Sequence, residues 1–322
     1  MRTAALALTA ALLAAPVGAT AAGKVPRVGF IAFEPGGCRN AAFHKGMREL
    51  GYVEGENFTF DCRHAHGRFE ELDAAAAEVV RAKPDVFVVF GHAPTRAVQR
   101  ATKDIPIVMA ASGEPVEMGF AQSLGRPGGN ITGVSYFSIE LNIKRLEYLK
   151  TLVPSLKCLA VLMHAGVPSE LTDVYLRDCK AAGKIFGFGI QVVKFRKLDD
   201  LDEAFAEMVR SGAQASFVAP MREVAAETKR LVELSNHHRL PTIHFRKTFA
   251  KEGGLMSYGT DYAVLYHRTA AYVDQILKGA KAGELPIEQP ARFEFVVNVK
   301  AAKALGLTIP PELLLRADEV IR

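Results

Sequence analysis

The sequence predicts an α/β fold in two lobes, each a parallel sheet with helices on both faces, joined by a hinge of several strands. Short apolar runs alternate with helix-like stretches along almost the whole chain, which is the pattern of parallel sheets covered by helices. Residues 68–81 also align without a gap with residues 197–210, and Leu72 coincides with Leu201. Two similar lobes predict a cleft between them, where ligands bind. This favours a solute-capturing protein.

The first residues are typical of a secretory signal peptide. Arg2 supplies a positive charge, and the apolar run at 4–15 is too short to span a bilayer. Small residues at 17–21 offer cleavage sites, so we predict a signal peptide over residues 1–22 and a soluble periplasmic protein after its removal. An uncleaved anchor is the alternative. No cysteine follows the apolar run closely, which disfavours a lipid-anchored form.

Charge and length narrow the class of protein. The chain has 322 residues, with 40 Lys and Arg against 35 Asp and Glu, for a net charge of +5. The basic residues form no block of the kind that nucleic-acid binding requires, so no nucleic-acid partner is predicted. About 300 mature residues exceed one comfortable core, which favours two domains.

The mature chain contains four cysteines, Cys38, Cys62, Cys158 and Cys179. An exported protein can form disulfides, and four cysteines allow three pairings. We predict Cys38–Cys62 and Cys158–Cys179, one bridge within each lobe. Cys38 follows the first strand and Cys62 ends the second, so neighbouring parallel strands would bring them together. Zinc binding is the alternative, but the sequence has no Cys-x-x-Cys pair.

Strands and helices can be assigned to each lobe. In the first lobe we predict strands at 28–33, 57–61, 85–90, 105–110 and 131–135 and helices at 42–50 and 262–277. In the second lobe we predict a helix at 139–152 and strands at 159–163, 190–195, 215–219, 242–245, 255–258 and 293–297, followed by a short helix at 300–305. Crossings near Gly133, Gly259 and Pro290 divide the chain into lobe one (23–133 plus 260–288) and lobe two (134–259 plus 289–322).

The predicted binding site follows from the direction of the strands, since open parallel sheets bind ligands beyond the carboxyl ends of their strands. The loops at those ends are rich in Gly, Pro and small hydroxyl residues. The candidate ligand-binding residues in these loops and at the crossings are Phe33, Gly36, His92, Thr95, Ser112, Glu114, Tyr136, His164, Arg222, Arg246, Tyr258 and Asp261.

Several of these candidates suit a carboxylate or another anion. Thr95 lies at a helix start beside Ser112, and free N–H groups at a helix start attract anions. Alternatively, Thr95 only caps its own helix. Arg222 and Arg246 could form a bidentate anion clamp, although exposed arginines are common near helix starts.

Other candidates suit an ammonium group or an apolar body. Glu114 and Asp261 could receive an ammonium group, or they could be solvated or capping carboxylates. Phe33, Tyr136 and Tyr258 could stack on a flat ligand, or they could pack in the core or hinge.

Motifs for catalysis are absent from the sequence. It contains no Gly-x-Ser-x-Gly, no His-Glu-x-x-His and no P-loop. We therefore predict no catalytic residues, no metal and no cofactor, and the sequence favours binding. The alternatives are a secreted α/β enzyme of the hydrolase kind and a ligand sensor for a membrane receptor.

Nine segments, distributed from residue 51 to residue 320, carry a family resemblance. They are GYVEGEN (51–57), IPIV (105–108), EPV (114–116), RPGGNITGV (126–134), GGLMSYG (253–259), AYVDQILKG (271–279), LPIEQP (285–290), ALGLTIP (304–310) and RADEV (316–320). In their order and completeness they resemble the ABC-transporter substrate-binding protein family that includes tryptophan- and tyrosine-type binders.

The resemblance implies a type I periplasmic binding protein architecture, in which two Rossmann-like lobes close over a small amino-acid-like or carboxylated ligand. It also implies that the ligand is handed to a membrane permease driven by an ATPase. We predict that the protein is a monomer. Two positions depart from the family. Glu114 stands where the family usually has Asp, and His164 with Ala165 stands where it usually has Asn-Pro.

Overall fold

A computed structural model describes residues 24–136, 139–167, 169–220 and 227–322. The signal peptide predicted over residues 1–22 lies outside the described residues. Two β-sheets with helices on their faces make up the fold. The predicted α/β fold class is therefore confirmed. Within the described part of the chain, no helix combines the length and the apolar character needed to cross a membrane.

The first sheet contains five parallel strands in the order β2-β1-β3-β4-β5. Its strands are β1 (Arg27–Ala32), β2 (Thr59–His64), β3 (Val86–Phe90), β4 (Ile107–Gly113) and β5 (Ile131–Tyr136). The inner strands are nearly continuous apolar runs because both faces of the sheet are covered. All five residues of β3, for example, are buried.

Helices α1 (Ala41–Glu49), α2 (Leu72–Arg81) and α3 (His92–Ala101) connect these strands, and 3₁₀ turns at Pro35–Arg39 and Phe69–Glu71 precede two of them.

The second sheet contains seven strands in the order β12-β11-β10-β9-β8-β6-β7, and β11 runs antiparallel to β10. These strands are β6 (Cys158–His164), β7 (Gly189–Phe195), β8 (Ala215–Val218), β9 (Thr242–His244), β10 (Met256–Gly259), β11 (Glu294–Asn298) and β12 (Glu319–Ile321). The remaining helices are α4 (Ile139–Leu152), α5 (Ser169–Phe186), α6 (Leu201–Arg210), α7 (Thr228–His237), α8 (Lys247–Lys251), α9 (Tyr262–Leu277), α10 (Val299–Ala304) and α11 (Pro311–Arg316), with 3₁₀ turns at Leu198–Asp200 and Ala282–Glu284.

The aligned segments 68–81 and 197–210 have the same local structure. Each forms a 3₁₀ turn that continues into a ten-residue helix, α2 in the first case and α6 in the second. Leu72 and Leu201 both begin their helix and are both buried. The repeat in the sequence therefore reflects a repeated structural unit, one copy beside each sheet.

The chain passes between the two sheets three times, after Tyr136, after Gly259 and after Glu288. Between the last two passes, α9 returns to the first sheet, where the Tyr266 ring stacks on Phe90 with a centroid distance of 4.3 Å. Glu288 then bonds to β5, since its N–H donates to Gly133 O at 3.0 Å. Three connections at one edge form a hinge that can bend without letting the lobes separate.

A close helix contact fixes the position of α9. Gly46 on α1 faces α9, and a Cβ added there would lie 2.7 Å from the His267 carbonyl oxygen and 2.8 Å from Ala270 Cβ. Only glycine allows the two backbones to approach this closely. The contact therefore also fixes the position of Tyr262 and Tyr266, which lie in the first two turns of α9 and face the cleft.

The four cysteines form one disulfide. Cys38 and Cys62 are bonded, as predicted. The predicted Cys158–Cys179 bridge is wrong, because both thiols are free. Cys158 opens β6, whereas α5 runs back along that strand and Cys179 lies in the middle of the helix, buried against the sheet. Burial raises the pKa of the Cys179 thiol to about 12, which makes it unreactive.

Candidate ligand-binding site

A cavity of about 440 Å³ lies between the two sheets. Its walls in the first lobe come from the loops after β1, β2 and β3, from β4, from the end of β5 and from the start of α9. Its walls in the second lobe come from α5 and from the loops after β6, β8 and β9. These loops lie at the carboxyl ends of parallel strands, where the rule for open α/β sheets places ligands. The volume is within the range of about 300–1,000 Å³ that is common for small-molecule sites.

Aromatic side chains form much of the cavity wall. Seven of the described lining residues are aromatic: Phe33, Phe69, Tyr136, Tyr175, Phe245, Tyr262 and Tyr266. Phe33 and Phe69 pack together with a centroid distance of 4.8 Å, and Tyr262 lies 6.1 Å from Tyr266. Such a wall suits a ligand with a flat or apolar body.

The connecting helices α1 and α3 of the first lobe begin at the cavity. Asn40 caps α1 by accepting a hydrogen bond from Phe43 N at 3.0 Å, and Ala41 lines the cavity. Gly91 precedes α3 with a φ of 92°, a left-handed conformation that favours glycine, and no side chain caps that helix. Helix N-termini carry partial positive charge and free N–H groups, so both ends attract an anion.

Two arginines add positive charge to the same cavity. Arg39 ends the 3₁₀ turn after β1, and Arg246 follows β9. The Arg246 guanidinium lies 5.2 Å from the centre of the Tyr262 ring, so it makes a cation–π contact within the aromatic wall. Among the described lining residues, Glu34 is the acidic side chain. The site is therefore positive overall.

His92 supplies a neutral polar ring at the start of α3. Its side chain is 9% exposed and packs on Phe120 with a centroid distance of 4.9 Å. Burial, assisted by the charge of Arg96, lowers the pKa of His92 to about 4. The imidazole is therefore uncharged at neutral pH and can hydrogen-bond without adding charge.

A buried polar network lies behind the aromatic wall. Arg145 is 2% exposed, donates from Nε to Tyr258 O at 2.7 Å and donates from Nη1 to Asn142 Oδ1 at 2.7 Å. Asn142 in turn donates to Asp178 Oδ2 at 3.3 Å. Burial raises the pKa of Asp178 to about 6. The network connects α4 and α5 to the hinge strand β10.

Three contacts join the lobes around the cavity. The Tyr136 and Tyr175 hydroxyls lie 2.8 Å apart, and Tyr175 also donates to Pro220 O at 3.0 Å. Phe69 packs on His164, with 5.5 Å between the ring centres. Two further residues, Arg177 on α5 and Glu117 after β4, form a bidentate ion pair at 2.6 and 3.0 Å. The lobes are thus in contact on more than one side of the cavity.

Five of the sequence-predicted residues line this cavity: Phe33, Gly36, His92, Tyr136 and Arg246. Four of them come from loops or strand ends at the carboxyl ends of β1, β3 and β9. Tyr136 ends β5 at the first crossing. The rule on strand direction thus brings these residues together although they are far apart in the chain.

Three of the candidates after β3 and β4 do not line the cavity. The Thr95 hydroxyl is buried and donates to Gly91 O at 2.6 Å, four residues back, so it bonds within its own helix. Ser112 is fully buried within β4 and lies behind Ala111, which does face the cavity. Glu114 lies one residue beyond β4, outside the wall.

Three other candidates, His164, Tyr258 and Asp261, have structural roles. His164 donates from Nε2 to Arg196 O at 2.8 Å and accepts from Gly166 N at 2.9 Å, which fixes the loop after β6. Tyr258 packs on Tyr148 in the second lobe. Arg222 lies outside the described residues.

Asp261 caps α9 by accepting from Ala263 N at 2.9 Å, and it pairs with Lys247 at 2.8 Å. Burial raises the pKa of Asp261, but these two hydrogen bonds outweigh that effect and hold it below its ordinary value. Its carboxylate is therefore engaged within the protein and does not line the cavity.

Several lining residues are not among the candidates predicted from the sequence: Glu34, Arg39, Asn40, Phe69, Tyr175, Phe245, Tyr262 and Tyr266. A signal existed for two of them. Tyr262 and Tyr266 are four residues apart at the start of the helix that follows the second crossing, so they share one helix face toward the cleft.

The fold and the cavity between the two sheets define a two-lobed solute-binding protein. A family model described as ABC transporter substrate binding protein matches residues 38–321, so the chain belongs to that family. This is a family of binding proteins and not of enzymes. Substrate-binding proteins of ABC importers act in the periplasm or outside the cell.

Known relatives are similar along most of the chain. A tyrosine-binding protein of Clostridioides difficile (strain R20291) is 28% identical over 268 residues, which cover 82% of this chain and 75% of that protein. A conserved domain protein from Vibrio cholerae has 26% identity and a TM-score of 0.84, with 92% of this chain and 100% of that chain covered. A Streptococcus pneumoniae ABC domain in complex with L-Trp shares the fold, with 24% identity, the same coverage and a TM-score of 0.82.

Proposed function

We propose that this protein is the periplasmic solute-binding component of an ABC importer and that it captures an aromatic amino acid or a closely similar aromatic carboxylate. The observation that carries the proposal is the composition of the cavity, in which an aromatic wall meets two helix N-termini and two arginines. The relatives support it, since one is a tyrosine-binding protein and one holds L-Trp.

The aromatic wall receives the apolar part of the ligand. Rings from both lobes surround the same space, with Phe33 and Tyr266 on the first lobe and Phe245 on the second. A ligand ring between them would lose most of its contact with water, and burial of that area drives binding. An aliphatic side chain would fill less of the space and would bind more weakly.

The helix N-termini and the arginines receive the carboxylate. Residues at the starts of α1 and α3 line the cavity together with Arg39 and Arg246. Charge-assisted hydrogen bonds of this kind are roughly twice as strong as neutral ones. A ligand without an anionic group would not make these charge-assisted hydrogen bonds.

Glu34 is the residue that we propose for the ammonium group of an amino acid. It follows β1, lines the cavity and lies next to Gly67, where an added Cβ would be 2.8 Å from Glu34 Oε1. The sequence-based candidates for this role, Glu114 and Asp261, lie outside the cavity wall. We therefore propose the ammonium site in the loop after β1 and not after β4 or at the second crossing.

Closure of the lobes couples binding to delivery. A ligand that touches both lobes binds the closed form more tightly than the open one and shifts the population toward it. The permease and its ATPase would then recognise the closed form. A test in cells is uptake of the radiolabelled ligand, which should be lost when the gene for this protein is deleted and should return on complementation.

A thermal-shift panel tests the ligand class directly. L-Tyrosine, L-tryptophan and 3-(4-hydroxyphenyl)propionate should raise the melting temperature, since a ligand selective for the folded state at 100 times its Kd adds about 2.7 kcal/mol. Tyramine, which lacks the carboxylate, and L-leucine, which lacks the ring, should have little effect. Stabilisation by L-leucine but by no aromatic carboxylate would overturn the proposal.

A further inference from the structure

The loop after β1 is a major part of the cavity wall. Residues 34–40 follow that strand, and five of them line the cavity: Glu34, Gly36, Gly37, Arg39 and Asn40. The loop therefore carries the carboxylate that we assign to the ammonium group and one of the two arginines that we assign to the anion. Its conformation decides whether these charges lie where the ligand needs them.

Packing alone holds this loop weakly. Gly36 and Gly37 are adjacent glycines, which have the greatest backbone freedom, and a Cβ added at Gly36 would meet no atom within 4 Å. The contact of Cys38 O with His44 Nε2, at 3.5 Å, is at the long limit for a hydrogen bond. Arg39 is exposed to solvent.

A covalent bond compensates for the weak packing. Cys38, in the middle of the loop, is bonded to Cys62, with 5.9 Å between the Cα atoms. Cys62 lies within β2 opposite Phe30 of β1, in a ladder that runs the length of both strands. Both cysteines pack on the core of the first lobe. The bond thus ties the glycine-rich loop to a strand inside the sheet ladder.

We propose that the Cys38–Cys62 disulfide is a positioning element of the ligand site, which holds Glu34 and Arg39 in the geometry that binds the ligand. This inference rests on the proposed function for the identity of the ligand. The physical reason is preorganisation: a loop that is already ordered loses less conformational entropy when the ligand binds. Without the bond, the loop has to be ordered at the moment of binding, and affinity falls.

The first experiment needs no ligand. Hydrogen–deuterium exchange is measured on the unliganded wild type and on the Cys38→Ser/Cys62→Ser variant, at a temperature where circular dichroism shows both to be folded. The amides of residues 36–40 should lose protection in the variant, whereas those of β3 and β4 should not. Equal protection of the loop in both proteins would overturn the proposal.

The second experiment measures affinity for L-tyrosine by isothermal titration calorimetry. The double variant should have a Kd about tenfold higher, with a more unfavourable binding entropy. Cys158→Ser/Cys179→Ala is the matched control, because it changes two unbonded cysteines in the other lobe, and its Kd should stay within twofold of wild type. A double variant that melts earlier but keeps the wild-type Kd would show that the bond serves stability alone.

The two proposals fail in different ways. If wild-type protein binds neither L-tyrosine nor any aromatic carboxylate of the panel, the proposed function fails, while loop exchange still decides whether the disulfide orders the wall. If wild type binds L-tyrosine and the double variant binds it equally well, the positioning role fails and the proposed function stands.

Discussion

The hydroxyl groups of Tyr136 and Tyr175 meet at 2.8 Å across the cleft, one at the end of β5 and the other on α5. Since Tyr175 donates to Pro220 O at 3.0 Å, Tyr136 donates to Tyr175, and the two bonds form a chain from the first lobe into the second. Both rings also line the cavity. The same side chains therefore contact the ligand space and hold the lobes together.

Tyr175→Phe should weaken ligand binding without unfolding the protein. The substitution keeps the ring but leaves Tyr136 and Pro220 O without a partner at that position, so the closed form loses about 1–2 kcal/mol relative to the open form. We expect a Kd for L-tyrosine about five- to thirtyfold higher by calorimetry. Tyr148→Phe is the control, because Tyr148 packs on Phe295 away from the cavity. Equal affinities of wild type and Tyr175→Phe would show that this bond does not favour closure.

Glu117→Gln should have a smaller and salt-dependent effect. The ion pair with Arg177 joins the lobes, but both side chains are substantially exposed, so it contributes less than about 1 kcal/mol. The loss in affinity should shrink as ionic strength rises. Asp73→Asn, which removes an exposed ion pair with Arg100 within one lobe, should leave affinity unchanged. A large loss that persists in high salt would contradict this assignment.

The same ion pair predicts how closure depends on pH. The hydrogen bonds from Arg177 hold the pKa of Glu117 below its ordinary value of 4.5. A carboxyl group with a lowered pKa stabilises the closed form at pH values above 4.5, and this contribution is lost as pH falls through the lowered pKa. Affinity measured by fluorescence titration should therefore fall below pH 4.5 in wild type, and less steeply in Glu117→Gln.

Asp178 should have the opposite pH dependence to Glu117, because it stabilises the folded protein at low pH. Burial raises the pKa of this carboxyl group from 3.8 to about 6. The folded form then binds the proton more tightly than the unfolded form, so this group favours folding fully below pH 3.8. That contribution is lost as pH rises to about 6. Asp178→Asn should therefore be more favourable at pH 7 than at pH 4. The change that it causes in the free energy of unfolding should be about 1–3 kcal/mol more positive at pH 7. Urea unfolding at the two pH values measures this, and an equal effect at both would contradict it.

Most strands of the fold could be predicted from local sequence, because a buried strand is a continuous apolar run and such runs are not found in exposed elements. The direction rule for parallel sheets then placed Phe33, Gly36 and His92 at the cavity. Side chains whose direction depends on the packing of helices were harder to predict. Tyr175 and Cys179 share one face of α5, but Cys179 packs in the core whereas Tyr175 also lines the cavity, and no pattern in the sequence sets where this helix lies along the sheet.

Polar residues near the site were misassigned for a related reason. Thr95, Asp261 and His164 have side chains that can bind a ligand, but local backbone groups lie within reach of the same atoms. Local hydrogen bonds cost little entropy, so they take precedence over a ligand. Glu34 and Arg39 line the cavity instead, and they lie in a loop that is not paired with a strand.

Glu34→Gln tests whether the ligand is an amino acid. If Glu34 pairs with an ammonium group, the variant should bind L-tyrosine about ten- to hundredfold more weakly, since a charged hydrogen bond contributes about 1.5–3 kcal/mol. The variant should bind 3-(4-hydroxyphenyl)propionate, which is L-tyrosine without the amino group, at least as tightly as wild type does. This compound has no ammonium group to pair with Glu34, and the loss of the Glu34 charge lowers repulsion of its carboxylate. Calorimetric titration of both compounds gives the two ratios.

The comparison with Glu114→Gln makes this test decisive. Glu114 is one of the two positions that the sequence offers for the ammonium group, but it lies outside the cavity wall, and its substitution should leave the preference for L-tyrosine unchanged. A selective loss of L-tyrosine binding in Glu114→Gln would move the ammonium site back to that loop. An equal loss of both compounds in Glu34→Gln would mean that the substitution disturbs the loop after β1 as a whole, since a residue that recognises the amino group has no reason to affect a ligand that lacks it.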